Sequence, residues 1–570
     1  MPPAVSALAS RFYGVDGFRR QSALRAVLIA ASHLAALAIM LMTESGPVSR
    51  MAFILAWGIL NTFFLVLVRR PAIAGVLSLV FVVLLVLLSQ LKHSMLFMTV
   101  NFVDLMVVDQ DTLGFLLTVT PGLWANVVIA CLLSAVLIAF LWWLDPRRVR
   151  RRLSTLGLAA FVGGLALLVF ALPSDPESEF VNGQYLSKFA RSGVTAIVDY
   201  VSRGLLESDS GLAEKLKPLV GGNTCSPAQK PPHIVMVFDE SSFDITQAPG
   251  IKVPENYREH FRSFDGRNRS LTVEGVGGPS WFTEYNVLTG LSVRSYGRFA
   301  DFVTRIAAGR VERGLPWALR RCGYKTYSFY SYLGAFLNAR GFQETAGIEN
   351  FYDAKKLNAN GVEPDSFFYD AAARVVEEEK GKQPLFLYVY TVANHFPWDY
   401  RFRPDLMTDW HDFGNTPEVD EYLRRQTLSA RNYASFIEKL KRDFPDERFL
   451  IVRFGDHQPG FAKHLLDPSL DNSFLARQVA AQDVRLLTTY YAIDAINYQP
   501  ADLGLARDQL DAPYLPLLVL EAAGVPLDAS FAEQKRIMLA CRGLFYRCRG
   551  GAEARRFNQL LINAGLIKGL

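Results

Sequence analysis

Three polar clusters in the second half of the chain each follow a predicted β-strand, and their side chains could together hold a metal ion. The predicted strands 234–238, 385–390 and 449–454 are followed respectively by Asp239-Glu240-Ser241-Ser242, Asn394-His395-Phe396-Pro397 and Gly455-Asp456-His457. Carboxylates and neutral imidazoles are ligands of divalent cations. Each cluster alone also fits a helix cap or a turn, but three in this arrangement indicate a metal site.

The elements that would position these clusters belong to an α/β domain. From residue 233 onward, short apolar runs rich in β-formers alternate with helical patterns, as a mostly parallel sheet covered by helices requires. A fourth strand is predicted at 326–330, and helices at 367–379 and 421–442. In such sheets ligands bind at the carboxyl ends of the strands.

The first third of the chain is predicted to cross a membrane five times. Residues 26–43, 51–68, 71–91, 112–144 and 153–174 contain no Asp, Glu, Lys or Arg. Each stretch reaches the roughly 18 to 20 residues that a helix needs to cross a bilayer. We therefore divide the chain into a transmembrane domain (1–174), a linker with interfacial helices (175–230) and an extracytoplasmic domain (231–570).

Basic residues set the predicted orientation, because Lys and Arg are retained on the cytoplasmic side. They concentrate before the first stretch, at Arg69-Arg70 and at 147–152, whereas 44–50 and 92–111 carry few. The N-terminus is then cytoplasmic and everything after 174 lies outside. The first stretch lacks a small-residue cleavage site and is interpreted as a retained helix. Residues 203–570 carry 45 basic and 45 acidic residues, which argues against a nucleic-acid partner.

The linker contains an apolar stripe of helical period between Tyr185 and Leu205, typical of a helix on a membrane surface or against a domain. Residues 92–111 are a second such candidate. Of five cysteines, Cys131 lies in the fourth stretch. The other four predict two disulfides in an oxidising compartment, Cys541 with Cys548 and Cys225 with Cys322. A metal site built from all four is the alternative.

These motifs and this organisation resemble the lipoteichoic acid synthase and phosphoglycerol transferase branch of the alkaline phosphatase and sulfatase superfamily, which is related to phosphoethanolamine transferases. Glu240-Ser241-Ser242-Phe243 resembles the family's Glu-Ser-Phe with one extra Ser, and Gly455-Asp456-His457 and Asn394-His395-Phe396-Pro397 match further motifs. The resemblance implies that Glu240, Asp456 and His457 are metal ligands and that His395 contacts the transferred phosphate.

The family nucleophile is a Thr in a Gly-rich loop, four residues before a Glu-Phe pair. Here residues 275–280 read Gly-Val-Gly-Gly-Pro-Ser and precede Glu284-Tyr285. The resemblance therefore assigns nucleophile and fourth metal ligand to Ser280, whose hydroxyl can attack phosphorus once a metal lowers its pKa. Thr283 is the alternative nucleophile, followed by Ser241 or Ser242.

The head-group pocket departs from the family pattern. The family's His-Gly-Asn and Phe-Trp-Asn-Arg correspond to residues 330–340, where Leu337 replaces the Trp, Tyr330 or Tyr332 replaces the His, and Arg340 is displaced by one position. Gln458-Pro459 also departs from the Ser-Asp-His-Gly-Glu of phosphoethanolamine transferases. The predicted substrate-binding residues are His395, Arg340, Asn394 and Trp398. His464 is either a further phosphate ligand or an exposed or capping residue.

The resemblance implies a bacterial inner-membrane enzyme with one divalent metal, Mn or Zn. It would transfer phosphoglycerol or phosphoethanolamine from a membrane phospholipid to a glycan or lipid acceptor through a phosphoserine intermediate, releasing diacylglycerol. A sulfatase or phosphodiesterase is one alternative, although the Cys-x-Pro-x-Arg signature of sulfatases does not occur. A catalytically inactive protein of envelope polysaccharide assembly is the other.

Overall fold

A computed structural model describes residues 15–96, 98–108, 122–145, 148–173, 182–217, 231–467 and 483–569. In this part of the chain a helical unit ends at Ser202 and an α/β unit begins at Arg203, inside the predicted linker. The helical unit contains α1 (Val15–Thr43), α2 (Pro47–Val68), α3 (Pro71–Leu96), α4 (Phe102–Val107), α5 (Leu123–Leu144), α6 (Arg151–Ala171) and α7 (Tyr185–Arg203).

Apolar helices of membrane-spanning length form where the charge-free stretches predict them. Among the described residues, Ser22–Thr43, Pro47–Val68, Pro71–His93 and Arg151–Ala171 are long and apolar enough to cross a membrane. The fourth predicted span, 112–144, contains the 22-residue helix α5, and its residues 112–121 lie outside the described part. Glycines bring α2 and α6 together, since a Cβ added at Gly58 would lie 2.5 Å from the Phe161 ring.

Polar contacts join neighbouring helices at two places in the helical unit. At one end, the buried Asp145 after α5 accepts a hydrogen bond from the backbone N–H of Ala72 at 2.7 Å. At the other, Glu44 after α1 accepts one from the Ser187 hydroxyl of α7 at 2.6 Å. The predicted amphipathic helix α7 packs Phe189 against Phe81 and Phe102 of the same unit.

The α/β unit is built on an eight-stranded sheet, ordered β4-β3-β5-β1-β6-β7-β2-β8 over the described residues. The strands are β1 (His233–Asp239), β2 (Arg269–Thr272), β3 (Lys325–Phe329), β4 (Asn350–Tyr352), β5 (Leu385–Tyr390), β6 (Phe449–Gly455), β7 (Thr488–Ile496) and β8 (Gln509–Asp511). Among the described strands, β7 alone runs antiparallel to its neighbours, so the predicted mostly parallel sheet is confirmed. Every residue of β1, β5 and β6 is buried, which explains their continuous apolar runs.

Helices cover both faces of this sheet. Their bounds are α8 (Ser280–Thr289), α9 (Val303–Ala307), α10 (Leu315–Arg320), α11 (Ala339–Thr345), α12 (Ala354–Leu357), α13 (Asp365–Glu378), α14 (Pro417–Asp443), α15 (Ala462–Leu466), α16 (Leu515–Ala522), α17 (Ala529–Ala540) and α18 (Ala552–Asn563). The helices predicted at 367–379 and 421–442 are α13 and α14, and both pack on the core formed by β1, β5 and β6. The predicted strands agree with β1, β3, β5 and β6 to within one residue at each end.

One of the two predicted disulfides is present among the described residues. Cys541 and Cys548, which flank the turn between α17 and α18, are bonded. Cys322 is also disulfide-bonded. Cys225 lies outside the described residues, so its pairing with Cys322 stays a prediction.

Candidate metal and phosphotransfer site

The carboxyl ends of β1 and β6 bring three predicted metal ligands together. One ligand atom from each of Glu240, Asp456 and His457 lies within 4.8 Å of the other two, and all three side chains are buried. Glu240 follows β1, and Asp456 and His457 follow β6. Because β1 and β6 are neighbouring parallel strands paired from His233 to Asp239, their following residues meet at one sheet edge.

Gly455 is the residue that permits this approach. A Cβ added at position 455 would lie 1.8 Å from the carbonyl oxygen of Ser242, a contact that no side chain can make. The backbone after β1 can therefore pass directly over the end of β6. The first residue of the Gly-Asp-His motif thus has a steric role, and the next two supply the ligands.

Ser241, one of the two serines that stand where the family motif has one, stabilises the cluster. Its backbone is left-handed, with φ of 52°, a conformation uncommon for residues other than glycine. In this conformation its N–H donates to Asp456 Oδ1 at 2.7 Å, and its hydroxyl donates to Glu240 Oε1 at 2.9 Å. Ser241 therefore orients both carboxylates at the cost of a strained backbone.

The electrostatics of the cluster favour a bound cation. Burial, and then the charge of Asp456, raise the pKa of Glu240 to about 8. Burial likewise raises the pKa of Asp456, whose Oδ2 has no hydrogen-bond partner among the described residues. Two carboxylates in a dry site cannot both be ionised without a positive charge between them. The donor set therefore fits a divalent metal ion.

His457 is oriented as a metal-binding imidazole. Its Nδ1 lies 2.9 Å from the carbonyl oxygen of Gln458, so Nδ1 carries the proton and donates it there. In the neutral ring, Nε2 then presents a lone pair to the cluster, 3.2 Å from Asp456 Oδ2 and 3.6 Å from Glu240 Oε1. A second hydrogen bond of this kind fixes the tautomer of most metal-bound histidines.

Ser280, the predicted nucleophile, lies at the same cluster. It is the first residue of α8, and its Oγ is 3.3 Å from Glu240 Oε2 and 3.1 Å from His457 Nε2. The preceding loop is held by Glu274, which accepts hydrogen bonds from the backbone N–H of Val293 at 2.7 Å and from Asn286 at 2.8 Å. The motifs did not identify Glu274, although a carboxylate next to the Gly-rich loop was a usable signal.

Thr283, the alternative nucleophile, is fully buried, and its hydroxyl donates to the backbone oxygen of Asp456 at 2.6 Å. The Ser242 hydroxyl accepts a hydrogen bond from Gln426 at 2.9 Å. Both hydroxyls thus have structural partners beside the cluster. His464 is exposed on α15.

The His395 loop is the third part of the site. Burial lowers the pKa of His395, while the charge of Asp456 acts in the opposite direction. Its Nδ1 donates to the carbonyl oxygen of Phe396 at 2.7 Å, which leaves Nε2 as an acceptor. Asn394 is buried at the start of this loop. Trp398 packs among Tyr422 and Phe461 in a core cluster rather than on an open surface.

Arg340 is not joined to the cluster by any contact among the described residues. Its Nη2 donates to Asp353 Oδ2 at 2.8 Å, and its guanidinium lies over the Phe351 ring. The side chain remains 43% exposed. Tyr330, one of the two replacements for the family His, is buried, and this burial raises the pKa of its hydroxyl.

Glu284 is a buried carboxyl that motif analysis used only as a position marker. It lies one helical turn after Ser280 in α8, and Gln343 donates to its Oε1 at 2.8 Å. Burial raises its pKa to about 8. Glu284 is therefore protonated at neutral pH, behind the candidate nucleophile.

Comparisons with known proteins agree with the motifs. Residues 281–477 match the family model described as Sulfatase. The chain is 25% identical over 152 residues to "Lipoteichoic acid synthase 2" of Bacillus subtilis, covering 25% of this chain and 23% of the relative. It is 22% identical over 362 residues to a "Putative cyclic beta-1,2-glucan modification protein" of Rhizobium meliloti, covering 59% of this chain and 55% of the relative.

Among solved structures, "Streptococcus pyogenes phosphoglycerol transferase GacH in complex with sn-glycerol-1-phosphate" aligns with 60% of this chain and 87% of its own, at 13% identity and a TM-score of 0.45. The match covers about a quarter of the length of the Bacillus subtilis relative and about half of the length of the Rhizobium meliloti relative. The predicted resemblance is confirmed at residues 281–477, which are similar to the Sulfatase family.

Proposed function

We propose that this protein transfers a phospholipid head group, glycerol phosphate or ethanolamine phosphate, to an envelope glycan or lipid acceptor. The observation that carries the proposal is the position of the Ser280 hydroxyl, 3.1 Å from His457 Nε2 and 3.3 Å from Glu240 Oε2, beside a buried carboxylate pair that needs a cation. A serine so placed can form a covalent phosphoryl intermediate. The names of the curated relatives, a lipoteichoic acid synthase and a glucan modification protein, support this class of reaction.

Glu240, Ser280, Asp456 and His457 would hold one divalent ion, Mn or Zn. When bound, such an ion lowers the pKa of the serine hydroxyl and offsets charge on the phosphoryl oxygens. The protein's own contribution is a rigid, buried donor set, since Ser241 and the carbonyl of Gln458 fix the ligand orientations. The preorganised site would stabilise the charge that develops on phosphorus oxygens in the transition state.

In the first step, Ser280 Oγ attacks the phosphorus of a membrane phospholipid and forms an Oγ–P bond. The bond between phosphorus and the diacylglycerol oxygen breaks, and this oxygen leaves as diacylglycerol by taking up the proton that Ser280 loses. Glu240 Oε2, to which Oγ donates, can carry this proton when a bound cation keeps the carboxylate ionised. The head group remains on the enzyme as a phosphoserine diester.

In the second step, the hydroxyl of the acceptor attacks the same phosphorus and the Oγ–P bond breaks, which restores Ser280. The acceptor proton can pass to Nε2 of His395, which is an acceptor in the neutral ring. Burial lowers the pKa of His395, so this form dominates at neutral pH. Asn394 and Arg340 are the further candidates for contacts with the substrate.

The contacts of Thr283 support Ser280 as the nucleophile, since the Thr283 hydroxyl already donates a hydrogen bond to the backbone oxygen of Asp456.

The test uses full-length protein in nanodiscs that contain fluorescent phosphatidylglycerol or phosphatidylethanolamine. We expect diacylglycerol release and a mass added at Ser280 that identifies the head group. Ser280→Ala should lower the release at least about 10³-fold, and Ser280→Thr should retain part of it because the hydroxyl is kept. Thr283→Val, which tests the rival hydroxyl, should still form the adduct.

Metal content provides an independent measurement. We expect about one Mn or Zn per chain, and Asp456→Asn should lower this stoichiometry while the protein remains folded. Protein without metal and without diacylglycerol release would contradict the proposal and favour an inactive assembly protein. Release of free head group in the presence of a glycan acceptor would instead identify a hydrolase, and an adduct on Thr283 would overturn the assignment of Ser280.

A further inference from the structure

A pocket of about 420 Å³ opens on the α/β unit where the loop after β5 meets α14. Its lining includes Arg401, Met407, Trp410, His411, Asp412 and Arg424. None of these residues belongs to the metal cluster, and the comparisons assign them no role. The volume suits one or two sugar rings, and the combination of an aromatic surface with a few polar groups is typical of ligand sites.

One nitrogen of a buried arginine in this pocket has no hydrogen-bond partner among the described residues. Arg424 is only 2% exposed, and its Nε and Nη2 donate to Glu421 at 2.8 and 2.9 Å. Its Nη1 has no hydrogen-bond partner among the described residues. A guanidinium can only donate, so the unmet requirement is for an acceptor oxygen. Leaving a buried charged donor unpaired is costly, which indicates that a ligand completes the site.

The charges joined across the pocket favour an anionic ligand. Among the described residues, Arg401, Arg424 and Arg425 form ion pairs with two carboxylates, those of Asp412 and Glu421. This linked group therefore keeps one positive charge. Arg401, which is 45% exposed, is the member able to reach a ligand from the pocket mouth.

Trp410 favours a sugar over a small anion. It is partly buried against two core clusters, and its Nε1 donates to Asp412 at 3.0 Å, so the ring is fixed in the pocket wall. A fixed indole offers a flat apolar surface on which the C–H face of a pyranose can pack. A bare phosphate gains nothing from that surface.

A network of hydrogen bonds and ion pairs connects the pocket to the His395 loop. Arg425, next to Arg424 in α14, donates to the carbonyl oxygens of His395, Pro397 and Tyr400 at 2.8, 2.9 and 3.0 Å. Glu421 binds Arg401, Arg424 and Arg425 together. A ligand in the pocket would thus contact the same network that fixes the candidate proton acceptor.

We propose that this pocket binds an anionic saccharide unit of the acceptor glycan, with Arg401 and Arg424 on its charged group and Trp410 against its ring. That this saccharide belongs to an acceptor glycan rests on the proposed function. Binding itself needs no catalysis and can be measured alone. The pocket then determines which glycans are modified, while the metal cluster performs the transfer.

The test is a saturation-transfer NMR titration of full-length protein in nanodiscs with three probes. These are a glucuronate-containing trisaccharide, maltotriose as its neutral counterpart, and sn-glycerol 1-phosphate. We expect the anionic trisaccharide to bind at least about tenfold more tightly than maltotriose. Arg401→Gln should weaken it about tenfold, the effect of one charge-assisted hydrogen bond, and Trp410→Leu at least about fivefold.

Arg403→Gln is the matched control, because Arg403 is an exposed arginine that pairs with Asp405 and does not line the pocket. Its affinity should stay within twofold of the wild type. Equal binding of both trisaccharides, or affinities unchanged by Arg401→Gln and Trp410→Leu, would overturn the proposal. So would tighter binding of glycerol phosphate that the same two variants abolish, since the pocket would then serve a lipid head group.

The outcomes separate this proposal from the proposed function. Wild-type protein that binds the anionic trisaccharide but releases no diacylglycerol keeps the pocket as a saccharide site and removes the transferase. Protein that releases diacylglycerol but binds no saccharide removes the pocket assignment and keeps the transferase.

Discussion

At the scale of single residues, the site depends on groups whose ionisation is set by burial. Glu240 and Asp456 are carboxylates in a dry environment, and burial raises both pKa values. Burial also lowers the pKa of His395 and raises the pKa of Glu284 to about 8. All four shifts favour neutral side chains, so the site suits a reaction in which a cation supplies the positive charge.

His395 leads to a prediction for the pH dependence of transfer. Because burial lowers the pKa of His395 below the ordinary 6.5, the imidazole is mostly neutral at pH 7 and loses its acceptor role as the pH falls. We expect kcat to fall on the acidic side with a midpoint below pH 6.5. His395→Gln should lower kcat about 10²-fold and remove this acidic limb.

The experiment measures kcat between pH 5 and 8, with metal content determined at each pH. An acidic limb with the same midpoint in His395→Gln would assign the titration to another group. A loss of metal that parallels the loss of rate would assign it to the metal ligands.

Glu284 leads to a prediction for stability. Its pKa is about 8 in the folded protein and 4.5 as a free side chain, so the folded state holds a proton that the unfolded state releases between these values. Stability must therefore fall as the pH rises from 4.5 to 8. Glu284→Gln keeps the hydrogen bond from Gln343 and removes the titration. It should raise the unfolding free energy at pH 8 by about 4 kcal/mol.

Thermal unfolding of the two proteins at pH 5, 6.5 and 8 measures this difference. Glu377→Gln, at an exposed position of α13, is the control and should follow the wild type. Parallel pH profiles for Glu284→Gln and the wild type would show that Glu284 is ionised in both the folded and the unfolded state.

At the scale of elements, α14 stabilises the loop that carries His395. Arg425 is fully buried, and its guanidinium joins Glu421 to the three carbonyl oxygens of residues 395, 397 and 400. The start of the same loop is held by Asp365 of α13, which accepts from the backbone N–H groups of Val392 and Ala393 at 3.1 and 3.0 Å. Two helices thus fix the path of the chain after β5.

Arg425→Lys tests this role. A lysine keeps the charge but cannot reach four oxygens in a planar fork, so the buried network loses its partners. We expect a loss of about 3 kcal/mol in unfolding free energy and a transfer rate reduced more than tenfold. Arg431→Lys, an exposed arginine of the same helix that pairs with Asp409, should leave Tm unchanged.

Equal Tm values for the two variants would contradict the structural role of Arg425. If Arg425→Lys lowered Tm but left the transfer rate intact, the loop would not need this anchor for function.

At the scale of the whole molecule, the charge-free stretches and basic loops predict a cytoplasmic N-terminus and an external α/β unit. We expect an epitope inserted at the exposed Gly361 turn to be reached by antibody in intact spheroplasts. An N-terminal epitope should be reached only after permeabilisation. The opposite pattern would reverse the orientation and place the chemistry inside the cell.

The sequence by itself predicted the apolar helices, the α/β fold with its mostly parallel sheet, and three residues, Glu240, Asp456 and His457, that lie together at one sheet edge. The local sequence pattern is sufficient for these predictions, because buried parallel strands appear as continuous apolar runs. The polar side chains of the candidate metal site come directly after two of these strands. The Cys541–Cys548 bond was also predictable from local sequence, since the two cysteines are only seven positions apart.

Only the tertiary structure decided how those residues are held. Three features illustrate this. The contact of Gly455 with Ser242, the hydrogen bond from Ser241 to Asp456 and the buried Glu284–Gln343 pair each join residues that lie between 59 and 215 positions apart. The role of Ser241 also depends on its left-handed backbone conformation. The pocket around Arg424 and Trp410 depends likewise on the packing of a loop against α14. Spacing along a chain cannot specify such contacts, because they arise when separate elements pack and exclude water.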